Sequence, residues 1–273
     1  MAVLREILEA TRERVPELKS RRRELERAAA TTPPGPPWTA AFQDGAVGVI
    51  AEVKRRSPSE GAIAPALDAG RLARDYADGG AAAISVLTNG PYFGGSLEDL
   101  AAVRRSVDRP VLRKDFLLDP VQVLESRAAG ASAVLLIVRV LEPAALRALA
   151  ELAGDLGLAR LLEIHTRPEL ERAVAVAPEA IGVNSRDLDT LQVDPEAAGP
   201  LLAEVPDGIL AVAESGIATR ADVVRMAAFG ADAVLVGTAL ARATDPVAAV
   251  AALAGVPRRT PDARRSRAGA TTS

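Results

Sequence analysis

The chain of 273 residues has no cysteine and a single histidine, His165. The first absence excludes thiolate nucleophiles, disulfides and cysteine-based zinc sites together. The second leaves no material for a multi-histidine metal centre or a histidine-based triad. Aromatic residues make up only 3%, so the core must be built from Ala, Val and Leu within a 49% hydrophobic total. Neither sign of charge dominates: 33 Lys and Arg against 36 Asp and Glu give a formal net charge of −3. Such a chain has no global pull toward nucleic acid or a membrane surface. No apolar stretch approaches the ~20 residues of a membrane span. Arg5 and Glu6 stand where a signal peptide would carry its apolar region. The expectation is a soluble cytoplasmic protein whose chemistry rests on Lys, Glu, Asp, Asn, Ser and Arg.

What is present begins with Val47-Gly-Val-Ile-Ala-Glu-Val-Lys-Arg-Arg-Ser-Pro-Ser-Glu-Gly61. Val47, Val49, Ile50 and Val53 make a near-continuous β-branched run, as in a strand buried on both faces. Glu52 and Lys54 interrupt it. Side chains two apart on a strand point the same way, roughly 7 Å apart. An acid and a base therefore share one face at the end of a buried strand, before Ser57-Pro58-Ser59 forces a loop. Burying charges is costly unless they are paired or used. A structural ion pair and a functional pair are both open at this point.

Residues 2–30 read as one charged amphipathic helix with Leu4, Ile7, Leu8, Val15 and Leu18 as its apolar positions, ended by TTPPGPP at 31–37. Strand and helix then alternate to about residue 254. The strands expected are 47–53, 82–87, 110–113, 133–138, 160–164, 180–183, 209–213 and 233–236. Proline opens five of the intervening helices, a residue tolerated in the first helical turn. Eight such pairs predict an α/β fold, a (β/α)₈ TIM barrel with an N-terminal helical extension. The competing doubly wound sheet lacks any glycine-rich dinucleotide or P-loop signature after a strand. The whole of 1–255 is expected to form one domain, with 1–45 as the extension and its Pro-rich loop. The polar, basic stretch 256–273 reads as a disordered tail.

In such barrels chemistry collects at the C-terminal ends of the strands. Unusual polar residues stand there: Glu52 and Lys54, Lys114 and Asp115, Glu163 and His165, Asn184 and Arg186, Glu214 and Ser215, Gly237 and Thr238. His165 by itself is read as a structural or solvated histidine. Glu214-Ser215-Gly216 and Val236-Gly237-Thr238 are strand, small-residue turn and helix start, in the two loops where these barrels hold phosphate. Ser57 could add a hydroxyl. The alternative is that these glycines only make tight turns.

Several of these segments resemble indole-3-glycerol phosphate synthase. They are Ile50 to Gly61, Ser85-Val-Leu-Thr88, Tyr92-Phe-Gly-Gly-Ser96, Leu112-Arg-Lys-Asp-Phe116, Leu162-Glu-Ile-His165, Gly182-Val-Asn-Ser-Arg-Asp-Leu188 and Ala213-Glu-Ser-Gly-Ile217, in the family's order. The leading helix resembles the extension that packs over the barrel mouth in that family. The resemblance implies ring closure, decarboxylation and dehydration of 1-(2-carboxyphenylamino)-1-deoxyribulose 5-phosphate, a step of tryptophan synthesis. It implies Lys114 as general acid and Glu163 as general base. Lys54 would neutralise substrate carboxylate or phosphate, or assist protonation. Glu52 and Asn184 would position the substrate and the lysines, with Ser215 beside them. Ser57, Arg186, Glu214, Gly216, Gly237 and Thr238 would bind substrate and its phosphate. Phe93, Phe116, Leu112 and Leu136 would wall the anthranilate ring. No metal or organic cofactor is implied. The expected partner is a phosphorylated small molecule, with no nucleic acid or membrane, and the expected state is a monomer, a weak homodimer being the alternative.

Two positions depart from the family's pattern. Ser185 stands where a second Asn is usual, and Asn89 where an acidic residue is usual. Two other readings compete: a Schiff-base aldolase-type barrel using Lys114, and a phosphate-ligand binder that has lost its chemistry.

Overall fold

A computed structural model describes residues 2–258. Among them, eight parallel strands close into a barrel in which each strand neighbours the next in sequence and the last pairs with the first. The strands are β1 (Gly48–Val53), β2 (Ala83–Leu87), β3 (Val111–Lys114), β4 (Ala133–Ile137), β5 (Ala159–Ile164), β6 (Ala180–Asn184), β7 (Leu210–Glu214) and β8 (Ala233–Val236). Each agrees with its expected range to within one or two residues. The reason is the short apolar run bounded by turn residues, which has few alternative placements.

Strand alternation divides the core in two. Ile50, Leu112, Leu135, Leu161, Val212 and Leu235 point inward and fill the barrel. Val49, Ala51, Val86, Val134, Leu136, Leu162 and Val234 point outward and pack under the helices. Near the strand ends the same inward parity reaches Glu52 and Lys54, Lys114, Glu163 and His165, Asn184, and Glu214. The pleat that builds the core thus also aims the polar residues at one point.

The N-terminal segment differs from the single helix expected. Ala2–Ser20 and Arg22–Thr31 are separate helices broken at Arg21, whose φ of −98° and ψ of 9° leave the helical region. The break lets the second helix turn and pack Leu25 and Ala29 against Val121 and Leu124 of helix Pro120–Ala128. The extension then closes the barrel floor. Phe42 is buried over Gly48, where an added Cβ would meet its ring at 2.4 Å. Glycine is required there for space.

The expected tail boundary also moves. Val256 is buried and its carbonyl accepts from Val47 N–H at 2.7 Å, while Arg258 pairs with Asp232 at 3.2 Å. These three residues of the supposed tail are tied to the barrel by the pairing of Ala46 with Pro257. The rest of that expectation, 259–273, lies outside the described residues.

Short elements went unread in the sequence. Arg56–Ser57 pairs antiparallel with Gly61–Ala62, giving the loop after β1 a ribbon of its own. Helix Gly90–Phe93 follows β2, capped by Asn89, whose Oδ1 accepts from Tyr92 N–H at 3.2 Å. Both are too short to show periodicity.

Candidate active site

A cavity of about 530 Å³ opens at the C-terminal ends of the strands. That size falls in the range of small-molecule sites. Val3, Leu4 and Ile7 of the first helix form part of its wall, so the extension covers the mouth as the resemblance implied.

At its base stand three buried carboxylates and two lysines. Lys114 Nζ lies 3.2 Å from Glu163 Oε2 and 3.3 Å from Glu214 Oε2. Lys54 Nζ lies 3.1 Å from Glu52 Oε1. Two glycines make this crowding possible. A Cβ on Gly237 would stand 2.3 Å from Glu52 Oε1 and 2.9 Å from Lys54 Nζ, and one on Gly182 would stand 2.0 Å from Glu214 Oε1. Gly237 therefore supplies room for the ion pair as well as a tight turn.

The electrostatics follow from burial and from the carboxylate excess. Burial works against the Lys114 ammonium, yet Glu214, Glu163 and Glu52 outweigh it and raise its pKa. Burial also penalises the Glu163 carboxylate, but Lys114, His165 and the Asn184 amide hold its pKa below the ordinary value. Glu214 is left over. Burial, with Glu163 and Glu52 nearby, pushes its pKa up to about 7 against the pull of Lys114. Glu214 therefore holds its proton to a higher pH than an ordinary carboxylate does.

Asn184 is fixed by Ser215. Ser215 Oγ donates to Asn184 Oδ1 at 2.8 Å, and Arg186 N–H donates to the same oxygen at 3.0 Å. That leaves the amide nitrogen for Glu163. Ser215 and Gly216 both have positive φ, 67° and 71°. For Ser215 this left-handed backbone costs on the order of 1–2 kcal/mol. The departures from the family's pattern find local roles. Ser185 Oγ bonds the carbonyl oxygens of Glu214 and Ser215, each at 3.1 Å, tying β6 to the loop after β7. Asn89 Nδ2 points its donor at Asp115 Oδ1, 3.5 Å away, where a second acid would be repelled.

Behind Lys114 lies a buried support. Asp115 faces away from Lys114, as strand alternation required, and pairs with Arg113 at 3.2 Å and with Thr88 Oγ1 at 2.6 Å. Arg113 also holds Glu125 at 2.8 Å.

Ser57, Gly216, Gly237, Thr238 and Arg186 line the cavity. Arg242 lines it too and was missed by the sequence reading. Its signal was weak, since it follows the strand-eight motif by one helical turn. Glu60 now bridges this end, accepting from Thr238 Oγ1 at 3.2 Å and pairing with Arg242 at 2.8 Å. Phe93 and Phe116 line the apolar part, their rings 6.4 Å apart.

Two expectations need correction. Leu136 points outward into the helix layer, while its neighbours Leu135 and Ile137 line the cavity. Leu112 points inward but belongs to the barrel core and does not line the cavity. Glu214 lines the cavity and stands against Lys114 among the acid–base groups. Of the two readings of His165, burial excludes the solvated one: its side chain is 5% exposed, beside Glu163 and Glu169.

Similarity to known proteins places the chain in a family. The family profile for indole-3-glycerol phosphate synthase matches residues 4–253. The indole-3-glycerol phosphate synthase of Nocardioides sp. (strain ATCC BAA-499 / JS614) is 54% identical over 79% of this chain and 83% of its own length. That of Mycobacterium ulcerans (strain Agy99) is 48% identical over 84% and 85%. Solved structures alike in fold include 3-hexulose-6-phosphate synthase from Salmonella typhimurium, with TM-score 0.61, 15% identity and coverage of 76% of this chain and 96% of that one. A tryptophan synthase chain from M. tuberculosis gives TM-score 0.60 and 16% identity over 79% and 94%. At those identities the likeness shows the barrel alone. Profile, relatives and the motifs at the strand ends together establish that the chain belongs to the indole-3-glycerol phosphate synthase family, carbon–carbon lyases of tryptophan biosynthesis.

Proposed function

We propose that Lys114 is the general acid and Glu163 the general base of the family's ring closure, working in the cavity described above. The observation that carries this reading is Lys114 within 3.2 Å of Glu163 and 3.3 Å of Glu214 at the cavity base. In the first step the anthranilate ring carbon attacks the ribulosyl carbonyl. The developing alkoxide is a stronger base than a lysine amine, so proton transfer from Lys114 runs downhill. Loss of CO₂ then restores the aromatic ring. Dehydration follows: the hydroxyl leaves with a second proton, and Glu163 removes the C–H proton that completes the indole. Glu214, protonated up to about pH 7, is placed to recharge Lys114.

Lys54, beside Gly237, meets the substrate carboxylate or phosphate, and Glu52 fixes Lys54. Asn184, locked by Ser215, orients Glu163 and the substrate hydroxyl. Ser57, Gly216, Gly237 and Thr238 hold the phosphate, with Arg186 and Arg242 supplying positive charge. Phe93 and Phe116, with Leu135 and Ile137, face the anthranilate ring. A Schiff-base role for Lys114 is disfavoured, because a nucleophilic amine must be neutral and the surrounding carboxylates stabilise its ammonium.

The test is a fluorescence assay for indole-3-glycerol phosphate with wild type, Lys114→Ala and Glu163→Gln. Each variant is expected to fold and to lose at least ~10²-fold in kcat, the scale of one acid or base. Near-normal turnover in both would sink the assignment. We also read the chain as a cytoplasmic monomer. Sedimentation giving a mass near 28.3 kDa supports the monomer, and twice that mass replaces it with the dimer.

A further inference from the structure

Glu163 uses only one of its oxygens on Lys114. The other, Oε1, is buried without a hydrogen-bond partner, and so is Nε2 of His165. These two orphaned atoms face each other at 3.7 Å. Their proximity follows from strand parity, since residues 163 and 165 share the inward face at the end of β5. The opposite edge of the imidazole is held by Glu169, the third residue of helix Arg167–Val174. Glu169 Oε2 accepts the backbone N–H of His165 at 2.6 Å and lies 3.4 Å from Nδ1. Arg139, from the turn Val138–Val140, braces Glu169 at 3.2 Å and reaches Asp187 at 3.5 Å. The charged groups around the ring are therefore Glu163 on its own strand, Glu169 on the following helix, Arg139 and Asp187 behind Glu169, and Lys114 beyond Glu163.

An imidazole between two carboxylates has a restricted choice of protons. A neutral ring donates from one nitrogen only. With Nδ1–H turned to Glu169, the Nε2 lone pair would face the Glu163 carboxylate, acceptor against acceptor. A proton between Nε2 and Oε1 removes that conflict. It gives either imidazolium beside carboxylate or imidazole beside carboxylic acid, two states that differ by transfer across one short gap. Closing 3.7 Å to hydrogen-bond length needs under about 1 Å of side-chain movement.

We propose that His165 is a positioning residue for Glu163, which fixes the base through Nε2 and takes over the proton that Glu163 removes from the substrate. This deepens the assignment of Glu163 as base and rests on it. In the dehydration step the substrate C–H bond breaks, its electron pair becomes the new double bond, and the proton lands on Glu163. Transfer to Nε2 then returns Glu163 to the carboxylate form and leaves imidazolium paired between Glu163 and Glu169. Glu169 remains ionised to receive it: although burial opposes its charge, the bonds from His165 and Arg139 bring its pKa down to about 2. The proton budget of the reaction gives this store a use. Decarboxylation of a carboxylate and departure of water take up two protons per turnover and Glu163 recovers one, so recovered protons are worth keeping near Lys114.

The experiment compares wild type, His165→Leu, His165→Gln and Glu163→Gln by steady-state kinetics across pH, with folding checked by circular dichroism. His165→Leu is expected to lower kcat by roughly 10–10²-fold while KM stays within about threefold, the low end of acid–base effects. His165→Gln keeps a donor but cannot titrate. It is expected to recover about tenfold of that loss at neutral pH and to lack one limb of the wild-type kcat–pH profile. Should His165→Leu fail to fold, the Gln variant alone decides by its pH profile. Wild-type kcat and pH profile in the folded His165 variants would overturn the proposal, as would a loss in His165→Leu that Gln does not relieve and that leaves the profile unchanged. Full activity in Glu163→Gln would instead overturn the base assignment itself, so the two failures are distinct.

Discussion

Gly182 on β6 faces Glu214 on β7 so closely that a Cβ would stand 2.0 Å from the Glu214 Oε1 atom. The inward face of β6 is therefore left empty to seat a carboxylate from its neighbour. Gly182→Ala must push Glu214, and with it Lys114, off position. Misplacement of reacting groups by about 1 Å can cost ~10²-fold, so kcat should fall by that order while circular dichroism stays native. Wild-type kcat would mean that Glu214 needs no fixed place.

Stability should respond to Glu214 with a definite sign. Its folded pKa of about 7 lies above the ordinary 4.5. Between those values the folded chain binds more protons than the unfolded one, so this residue's contribution falls as pH rises through that window. Glu163, whose pKa is lowered, acts oppositely, with a contribution present above its ordinary pKa and lost on acidification. Comparing Glu214→Gln with wild type isolates the first effect. From pH 5 to pH 8 the urea-derived stability difference should move in favour of the variant by about 1–3 kcal/mol. A constant difference would contradict it.

Ser215 acts on the base through Asn184. Removing its hydroxyl frees the Asn184 amide at a net cost near 1 kcal/mol for a typical hydrogen bond. Ser215→Ala should therefore reduce kcat by about 5- to 10-fold with KM nearly unchanged. A rise in KM alone would place Ser215 in substrate binding.

At the phosphate end Glu60 occupies the groups that an anion would use. Titration calorimetry with inorganic phosphate should show Glu60→Ala binding several-fold tighter than wild type. Arg242→Ala should bind several-fold weaker, a modest effect because the guanidinium is half exposed. Equal affinities in all three proteins would remove Arg242 from the phosphate site.

Arg113 is 1% exposed and answers two buried carboxylates, Asp115 and Glu125. Arg113→Met leaves both without their cation, which should cost about 3–5 kcal/mol in chemical denaturation. A change under about 1 kcal/mol would show that Thr88, Asn89 and the Phe116 N–H alone can hold Asp115.

Much of this was legible in the chain. Val47 to Val53 and its seven counterparts are short runs rich in Val, Ile, Leu and Ala whose ends are marked by Gly, Pro and charged residues, so both the barrel and the mouth position of Glu52, Lys54, Lys114, Glu163 and Glu214 could be read. Parity also carried more than was drawn from it. It sends Leu136 outward, and the rule that paired Glu52 with Lys54 pairs Glu163 with His165.

The sequence by itself determined which strand ends carry acids and bases and, by their spacing of two, which side chains share a face. It also determined the glycines that leave space among them. Only the tertiary structure decided the partners across strands: Lys114 between Glu163 and Glu214, Glu60 on Arg242, Asn184 under Ser215, and the first helix over the cavity. Spacing along a strand is set by covalent geometry and can be counted. Distance between strands depends on how the barrel closes, and the raised pKa of Glu214 emerges only when Glu163, Glu52 and Lys114 meet it out of water.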